Sequence, residues 1–198
     1  MVKDDAGDRE LVRKSLQGDD AAFAQLLRRY ERGLYNLAVR MVRDPETARD
    51  LTQEAMVRVH GSLARYDPVY PFSSWIYRVA SNLCIDAIRK RKLDTISLDA
   101  PHTIEGEEVA REFADSSVTP DRDLEDKERA QLLEETLAKL PPAHRLVLVL
   151  RHQRDLSYEE IALALDAPIG TVKARIHRAR EEFRRLLLKD SRWKELGG

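Results

Sequence analysis

The amino-acid sequence predicts an all-α protein, and its composition and patterning both support that fold class. Of the 198 residues, 35% are charged and only 6% are aromatic. The chain has 8 glycines, few for a turn-rich β sandwich or barrel. Apolar residues recur at steps of three and four over long stretches, which is the period of an amphipathic helix. At roughly 150 residues per domain, the length allows one ordinary domain or two small ones.

The first two long helices are predicted on either side of Asp44-Pro45. From Asp20, apolar residues form one stripe that ends near this dipeptide. Aspartate suits the N-cap of a helix and proline its first turn, so the second helix begins here, and Leu63 closes its buried stripe. Four polar residues of the second helix lie largely off that stripe: Asp50, Gln53, Glu54 and Arg58.

A loop and a third helix follow. The segment from Arg65 to Ser74 holds two prolines and a serine pair, so it predicts a loop that ends in an N-cap. The helix is expected from about Trp75 to Lys92. Cys84 flanks its inner face and is interpreted as a small buried hydrophobe. A helical wheel places one set of residues opposite the apolar stripe, with Asn82 at its edge: Arg78, Ser81, Ile85, Arg89 and Lys92.

An acidic linker is predicted over residues 94–122. The helical period is lost there, proline and glycine appear, and one helical turn is expected around Val109 to Phe113. The linker separates a first domain, residues 1–93, from a second, residues 123–198. Basic and acidic residues number 17 and 13 in residues 1–93, 3 and 12 in residues 94–128, and 14 and 10 in residues 129–198. Two weakly basic modules that each meet a polyanion would fit this division, and the acidic segment could hold them together.

The second domain opens with another periodic stretch, which Pro141-Pro142 interrupts. The apolar run from Leu146 to Leu150 is predicted to be a buried helix, because a lone strand among helices would have no partner. No apolar run in the chain is longer than this one, which is far shorter than the roughly 18 residues of a membrane span. An acidic N-terminus without a signal pattern predicts a cytoplasmic protein.

A helix-turn-helix is predicted from Ser157 onward. Ser157 and Glu160 have the spacing of a capping box, and a short turn follows at 166–170. Thr171 is expected to cap the second helix, which Val172 and Ile176 anchor in the domain. Basic side chains then project outward, as in a helix that lies in the DNA major groove: Lys173, Arg175, His177, Arg178 and Arg180. The alternative is a solvated face that Glu181 and Glu182 partly neutralise.

The segment from Arg65 to Asn82, with the basic residues that follow to Lys92, pools aromatics, cations and amides. Proteins that hold single-stranded DNA need aromatic faces, groups for base edges and a positive track for the backbone. A core role for Phe72 and Trp75 is the alternative, and burial is favoured for Trp75.

Together these segments resemble the extracytoplasmic-function (ECF) group of bacterial RNA polymerase sigma factors, over residues 8–93 and 123–189. The resemblance rests on four segments in order: Tyr35 to Val42, Ala48 to Arg58, Tyr66 to Asp86 and Leu140 to Arg180. It implies a region 2 helical bundle and a region 4 helix-turn-helix domain, joined by a linker with little regular structure.

The resemblance also implies three sets of site residues. Those matching the surface that docks on the clamp helices of the polymerase β′ subunit are Asp50, Gln53, Glu54 and Arg58. Those matching the capture of a flipped base and single-stranded DNA at the −10 element are Tyr66, Asp67, Phe72, Ser73, Arg78, Asn82, Arg89 and Lys90. Those matching the reader of the duplex −35 element are Thr171, Lys173, Ala174, Arg175, His177, Arg178 and Arg180.

Such a factor binds core RNA polymerase through the β′ clamp helices and the β flap, and helps to melt promoter DNA. Its implied partners also include an anti-sigma factor, often membrane-anchored, and the free chain is expected to be a monomer. No catalytic residue, cofactor or metal is expected: five histidines are scattered, and no HExxH, CxxC or glycine-rich phosphate loop occurs.

Three alternatives remain open. An ordinary transcriptional regulator would bind duplex operator DNA without polymerase, but it leaves the aromatic loop and the Asp50 to Arg58 face unexplained. A helical scaffold would pair its basic faces with acidic proteins, and salt-sensitive binding to promoter-like DNA with polymerase would argue against it. An enzyme is disfavoured because the signals for one are missing.

Overall fold

The computed structural model describes residues 5–97, 120–153 and 155–196, and the regular structure within these ranges is helical. In chain order the α-helices are α1 (Asp5–Leu16), α2 (Asp20–Val42), α3 (Pro45–Ser62), α4 (Phe72–Ser97), α5 (Pro120–Ala138), α6 (Pro142–Gln153), α7 (Tyr158–Leu165), α8 (Ile169–Lys189) and α9 (Ser191–Glu195). A 3₁₀ turn, Leu63–Arg65, follows α3. The all-α fold class is confirmed. None of the described helices is both long and apolar enough to cross a membrane.

Helices α1 to α4 form an N-terminal bundle around the predicted apolar stripes. Its largest fully buried side chains include Leu26, Leu34, Leu37, Met41, Phe72 and Ile76. Helix α2 ends at Val42, and its C-cap Arg43 has a left-handed φ of 59°. Asp44 then caps α3 by accepting a hydrogen bond from the Thr47 backbone N–H at 3.0 Å, and Pro45 opens the first turn. The predicted break between these two helices is confirmed.

Helix α4 begins three residues earlier than expected, at Phe72 instead of Trp75. The Phe72 ring is fully buried, with its centroid 5.4 Å from that of Tyr66, so tight packing already starts at this residue. Ser74 lies inside the first turn, where its backbone N–H donates to the Pro71 carbonyl at 3.1 Å. The prediction that the loop extends to an N-cap at Ser74 is therefore wrong.

Helix also occupies both ends of the segment predicted to be an irregular linker. Helix α4 continues past Lys92 to Ser97, because no proline or glycine interrupts the intervening sequence. Helix α5 begins at Pro120, since a first turn tolerates proline. The helical turn expected around Val109 to Phe113 lies outside the described residues.

Helices α5 to α9 form the C-terminal bundle. The run from Leu146 to Leu150 lies within α6 and is buried throughout, as predicted. The capping box at the start of α7 is also confirmed. The Glu160 backbone N–H donates to Ser157 Oγ at 3.1 Å, and the Ser157 backbone N–H donates to Glu160 Oε2 at 2.9 Å.

The start of α8 corrects the predicted cap at Thr171. Helix α8 begins at Ile169, and its N-cap is Pro168, which makes no side-chain capping bond. The Val172 backbone N–H donates to the Pro168 carbonyl at 3.1 Å, so Thr171 already lies within the first turn. Proline holds φ near −65°, which fixes this helix start without a capping hydroxyl. The preceding turn uses Asp166 in the left-handed conformation, with φ of 50°.

The two bundles pack directly against each other. Helix α7 contacts α4, and α2 contacts α5 and α6. The first helix of the helix-turn-helix therefore lies beside the helix that follows the aromatic loop.

Candidate nucleic-acid and polymerase interfaces

Helix α8 presents a basic face held by a buried one. Val172, Ile176 and Ala179 are at most 1% exposed and anchor the helix in its bundle, as the sequence predicted for the first two. Most of the residues predicted to read duplex DNA are exposed, namely Thr171, Lys173, Ala174, His177, Arg178 and Arg180, whereas Arg175 is half-buried. The first three turns of α8 thus carry a basic surface that can enter a groove.

The acidic residues of α8 offset positive charge in its C-terminal half more than at its N-terminus. Glu181 and Glu182 lie 4.0 Å from Arg184 and Arg185, respectively, at the limit of an ion pair. Within the described residues, no carboxylate lies within ion-pairing distance of Lys173 or Arg178. The positive potential therefore concentrates at the N-terminal part of the helix, which also carries the positive end of the helix dipole.

Arg180 differs from the other cations of α8 because it contacts a histidine. Its guanidinium nitrogen lies 3.2 Å from His152 Nε2, at the end of α6. Burial lowers the pKa of His152, and the positive charges of Arg180 and Arg151 lower it further. Neutral imidazole can accept the hydrogen bond from Arg180, so this contact favours the uncharged ring.

Buried aromatic rings pack against one another at both ends of the loop that precedes α4. Tyr66 is 7% exposed and its hydroxyl donates to the Tyr70 carbonyl at 2.6 Å. The rings of Tyr66, Phe72 and Trp75 form a mutual cluster, with centroids 5.4 to 5.6 Å apart. Asp67 Oδ1 accepts the Val69 backbone N–H at 2.9 Å. Tyr66 and Phe72, both expected at the −10 surface, therefore lie in the core and shape the loop, while Asp67 is exposed on it.

The outer face of α4 carries the exposed members of the −10 set, which are Arg78, Asn82, Arg89 and Lys90. Ser81, which the helical wheel placed on this face, is only 1% exposed, and so that prediction is wrong. The wheel assumed one buried side, whereas α4 packs against α2 and α3 of its own bundle and also against α7. Cys84 is buried as predicted, and burial raises the pKa of its thiol to about 12.

The four residues expected at the polymerase are all exposed on α3. Asp50, Gln53, Glu54 and Arg58 face outward, opposite a buried stripe formed by Ala48, Thr52, Ala55 and Val59. Arg58 donates to Glu54 Oε1 at 2.6 Å, a pair one helical turn apart. The exposed carboxylates and amide form a polar face that is open to a partner.

Sequence reasoning missed the residues that join the two bundles. The Arg40 guanidinium binds the Glu134 carboxylate through both Nε and a terminal nitrogen, at 2.9 and 2.7 Å. Arg145, 8% exposed, donates to the Met41 carbonyl at 2.8 Å and to the Ala138 carbonyl at 2.6 Å. Burial lowers the pKa of Arg145 to about 10, with the charge of Arg43 adding to the effect. A lone arginine directly before a buried apolar run was the available signal for Arg145.

Comparison with known proteins places this architecture in one family. The Sigma-70 region 2 family matches residues 26–93, and the Sigma-70 region 4 family matches residues 130–183. The ECF RNA polymerase sigma factor SigW of Bacillus subtilis is 37% identical over 177 residues, which cover 89% of this chain and 94% of SigW. The chain belongs to the ECF RNA polymerase sigma factors. In this sigma factor, the N-terminal bundle is region 2 and the C-terminal bundle is region 4.

Solved structures show the same arrangement of helices. CnrH, solved in complex with the cytosolic domain of CnrY, is 26% identical to this sigma factor, with a TM-score of 0.68. The match covers 93% of this chain and 99% of CnrH. The sigma factor RpoE of Bartonella quintana, solved with the anti-sigma factor NepR, shares the fold at 21% identity and a TM-score of 0.68, over 85% of this chain and 98% of RpoE.

Proposed function

We propose that this sigma factor, a transcription initiation factor, binds core RNA polymerase, recognises −35 and −10 promoter elements, and helps to melt the promoter. The observation that carries the proposal is the pair of basic surfaces on α8 and α4, which lie in region 4 and region 2 of an ECF sigma factor. Duplex and single-stranded DNA make different demands, and each surface suits one of them.

Region 4 is proposed to read the duplex −35 element. Helix α8 has the buried anchors and outward cations of a recognition helix, whose N-terminal residues reach base edges while outlying arginines hold phosphates. The proposed contacts are Thr171, Lys173, Ala174, Arg175, His177, Arg178 and Arg180.

Region 2 is proposed to hold the unpaired −10 strand. The exposed contacts are Asp67 in the loop, with Arg78, Asn82, Arg89 and Lys90 on α4. Ser73 lies at the start of that helix, and Tyr66 and Phe72 hold the loop in shape from the core. A flipped base loses its stacking partners and gains contacts in the loop, so binding energy helps to open the duplex.

Core polymerase is proposed to bind the exposed face of α3 through its β′ clamp helices. Asp50, Gln53, Glu54 and Arg58 supply charges and an amide that need no rearrangement to be reached. Region 4 is proposed to meet the β flap. The sigma factor itself catalyses no reaction in this scheme, since the polymerase supplies the chemistry, and both act in the cytoplasm.

A protein inhibitor is proposed as a further partner. CnrH was solved with the cytosolic domain of CnrY, which supports a protein partner for this chain too. By family resemblance this partner is an anti-sigma factor, of a class that is often anchored in the membrane, and it covers the polymerase-binding surfaces of an otherwise monomeric chain.

Run-off transcription tests the proposal. Purified core polymerase is supplied with a library of promoter fragments, with and without the sigma factor, and the transcripts are sequenced. We expect specific transcripts only when the sigma factor is present, with shared −35 and −10 sequences upstream. Arg178→Ala should reduce those transcripts, while Lys189→Ala, exposed at the far end of the same helix, should not. No transcripts, with duplex binding intact, would favour an ordinary transcriptional regulator.

A further inference from the structure

The surface proposed to bind the −10 strand is engaged by region 4. Ser73 Oγ donates to Glu160 Oε1 at 3.0 Å, and the two residues are only 8% and 7% exposed. The other Glu160 oxygen accepts the Ser157 backbone N–H of the capping box. One carboxylate thus both caps α7 and binds the first turn of α4, which fixes where α7 sits on region 2.

A second carboxylate of region 4 forms an ion pair with Arg78, which is proposed to bind DNA. The Arg78 guanidinium lies 2.9 Å from Asp166 Oδ2, and Asp166 follows the last turn of α7. A carboxylate and a phosphate make the same kind of contact with a guanidinium. Region 4 therefore supplies acidic groups where the proposed function needs the nucleic acid, and Arg78 cannot use the same donors for both.

The Arg40–Glu134 pair joins the domains away from both proposed DNA surfaces. It is bidentate, and the Arg40 side chain is 11% exposed, so solvent weakens it less than an ordinary surface ion pair. Neither residue belongs to the proposed DNA or polymerase contacts. The pair can therefore be changed without touching those surfaces.

Arg145 completes the junction by capping helix ends in both domains. Its guanidinium donates to the carbonyls of Ala138 and Leu140 at 2.6 and 3.1 Å in region 4, and to that of Met41 at 2.8 Å in region 2. The last carbonyls of a helix have no partner within the helix, so this one side chain satisfies groups on both α2 and α5. Separation of the domains would return the α2 carbonyls to water.

Two buried hydroxyls show that the closed arrangement is not the best state for every group. Ser74 Oγ and Ser81 Oγ, both on α4, are buried without a hydrogen-bond partner. A buried polar atom without a partner destabilises the arrangement that buries it. Water or DNA can satisfy Ser74 when the cleft it shares with α7 opens. The junction also contains apolar contacts, because buried residues of the two bundles form one hydrophobic cluster, so the unpartnered hydroxyls offset only part of the stability of the closed arrangement.

From these contacts we infer that the sigma factor has a partly self-masked resting state, in which α7 of region 4 engages Ser73 and Arg78 of the −10 surface and the Arg40–Glu134 pair holds the domains together. The inference rests on the proposed function, because that function assigns Ser73 and Arg78 to DNA. Separation of the domains frees these side chains for the unpaired strand.

A charge swap tests this state in the full chain. Fluorescent dyes are placed at Val57→Cys and Leu188→Cys, which are 70% and 53% exposed in region 2 and region 4, and energy transfer reports their separation. The native Cys84 is replaced by alanine in every labelled variant, so that only the two introduced cysteines carry dyes. Arg40→Glu or Glu134→Arg places like charges together and should increase the separation, while the double swap should restore it.

Binding of a single-stranded −10 oligonucleotide, taken from a promoter found by run-off transcription, gives the second readout. Glu134→Arg should tighten binding by the free chain about tenfold, since affinity scales with the fraction of open molecules. Glu135→Arg is the matched control: it adds the same charge one residue away, but Glu135 pairs with Arg192 inside region 4 at 2.7 Å. The control should leave the dye separation unchanged.

Asp166→Asn provides a milder variant that keeps the left-handed backbone, which asparagine adopts readily. It should tighten −10 binding about twofold, because the Arg78 contact is exposed and weak. Equal dye separation in wild type, both single variants and the double swap would overturn the self-masked state. Wild-type run-off transcription separates the two ideas: its absence refutes the proposed function, whereas transcription with unchanged separation refutes only the masking.

Discussion

The two surfaces proposed to bind promoter DNA differ in what covers them. On α8, Lys173 and Arg178 face solvent, and within the described ranges no carboxylate pairs with either. On α4, Ser73 and Arg78 each contact a carboxylate of region 4. We therefore infer that the free chain can offer its proposed −35 surface at once, whereas Ser73 and Arg78 of the proposed −10 surface become available only when the domains separate.

The proposed polymerase-binding face of α3 is exposed, like the proposed −35 surface of α8. Asp50, Gln53, Glu54 and Arg58 stay exposed while region 4 covers part of α4. If α3 is the polymerase-binding face, as proposed, docking requires no prior separation of the domains. The proposal then predicts that polymerase binds first and that the unpaired −10 strand is captured afterwards.

The largest expected effect is a loss of stability when a buried ring beneath the proposed −10 surface is deleted. Phe72→Ala deletes a fully buried ring among Tyr66, Tyr30 and Trp75, so it should lower the free energy of unfolding by about 3–5 kcal/mol. Denaturant unfolding followed by circular dichroism measures this loss. Tyr70→Ala, at an exposed position of the same loop, should change stability by less than about 0.5 kcal/mol. Similar losses for both variants would contradict a buried scaffold for the loop.

A smaller effect is expected when the open surface loses a cation. Arg178→Ala should weaken binding of the free chain to duplex −35 DNA about tenfold and make the salt dependence shallower by about one counterion. Fluorescence anisotropy at several salt concentrations checks both. The single-stranded −10 affinity should not change, because α4 is untouched. Lys189→Ala serves as the control, and equal weakening by both variants would show that only total charge matters.

The stability of α7, the region 4 helix that contacts α4, is expected to depend on its capping box. Ser157→Ala removes the hydroxyl that accepts the Glu160 backbone N–H and should destabilise the chain by about 1 kcal/mol. Thr171→Ala should have a much smaller effect, since Thr171 lies within the first turn of α8 and Pro168 is the N-cap. Parallel denaturant titrations of the two variants decide. A larger loss for Thr171→Ala would restore the threonine cap that the sequence suggested.

The smallest expected effect concerns pH and the open surface. The pKa of His152 is lowered in the folded protein, mainly by burial and also by Arg180 and Arg151, so the unfolded chain binds this proton more tightly. The stabilisation associated with this histidine is therefore complete above the unfolded pKa of about 6.5 and declines as the pH falls below it. Unfolding curves between pH 7.5 and about 5.5 should show a smaller decline for His152→Gln than for wild type. An unchanged pH dependence would mean that His152 is not held neutral.

Local rules predicted much of the fold. The Asp44-Pro45 junction, the Ser157–Glu160 capping box and the buried anchors of α8 each depend on residues within one turn, and all were confirmed. The start of α4 was wrong because packing of Phe72 outweighed a serine pair that could have capped a later start. The cap of α8 was wrong because Pro168 sets the helix start without a hydroxyl.

The rest of the candidate site depends on contacts distant in sequence. Ser81 is buried on a helix that packs against helices of both domains, and a helical wheel of α4 alone does not show those neighbours. Arg40 and Glu134 are 94 residues apart, and each alone has the pattern of an ordinary helix surface. The acidic segment suggested closeness through charge. Within the described residues, the closeness is made by direct contacts between the domains instead.

The most direct test places 2-aminopurine at the flipped −10 position of a promoter identified by run-off transcription. The fluorescence of this base rises when it leaves the stack. We expect a rise when core polymerase and the sigma factor are both present, and none with either alone. No rise with both would contradict promoter melting by this factor, and a full rise with the sigma factor alone would contradict a −10 surface that is covered in the free chain.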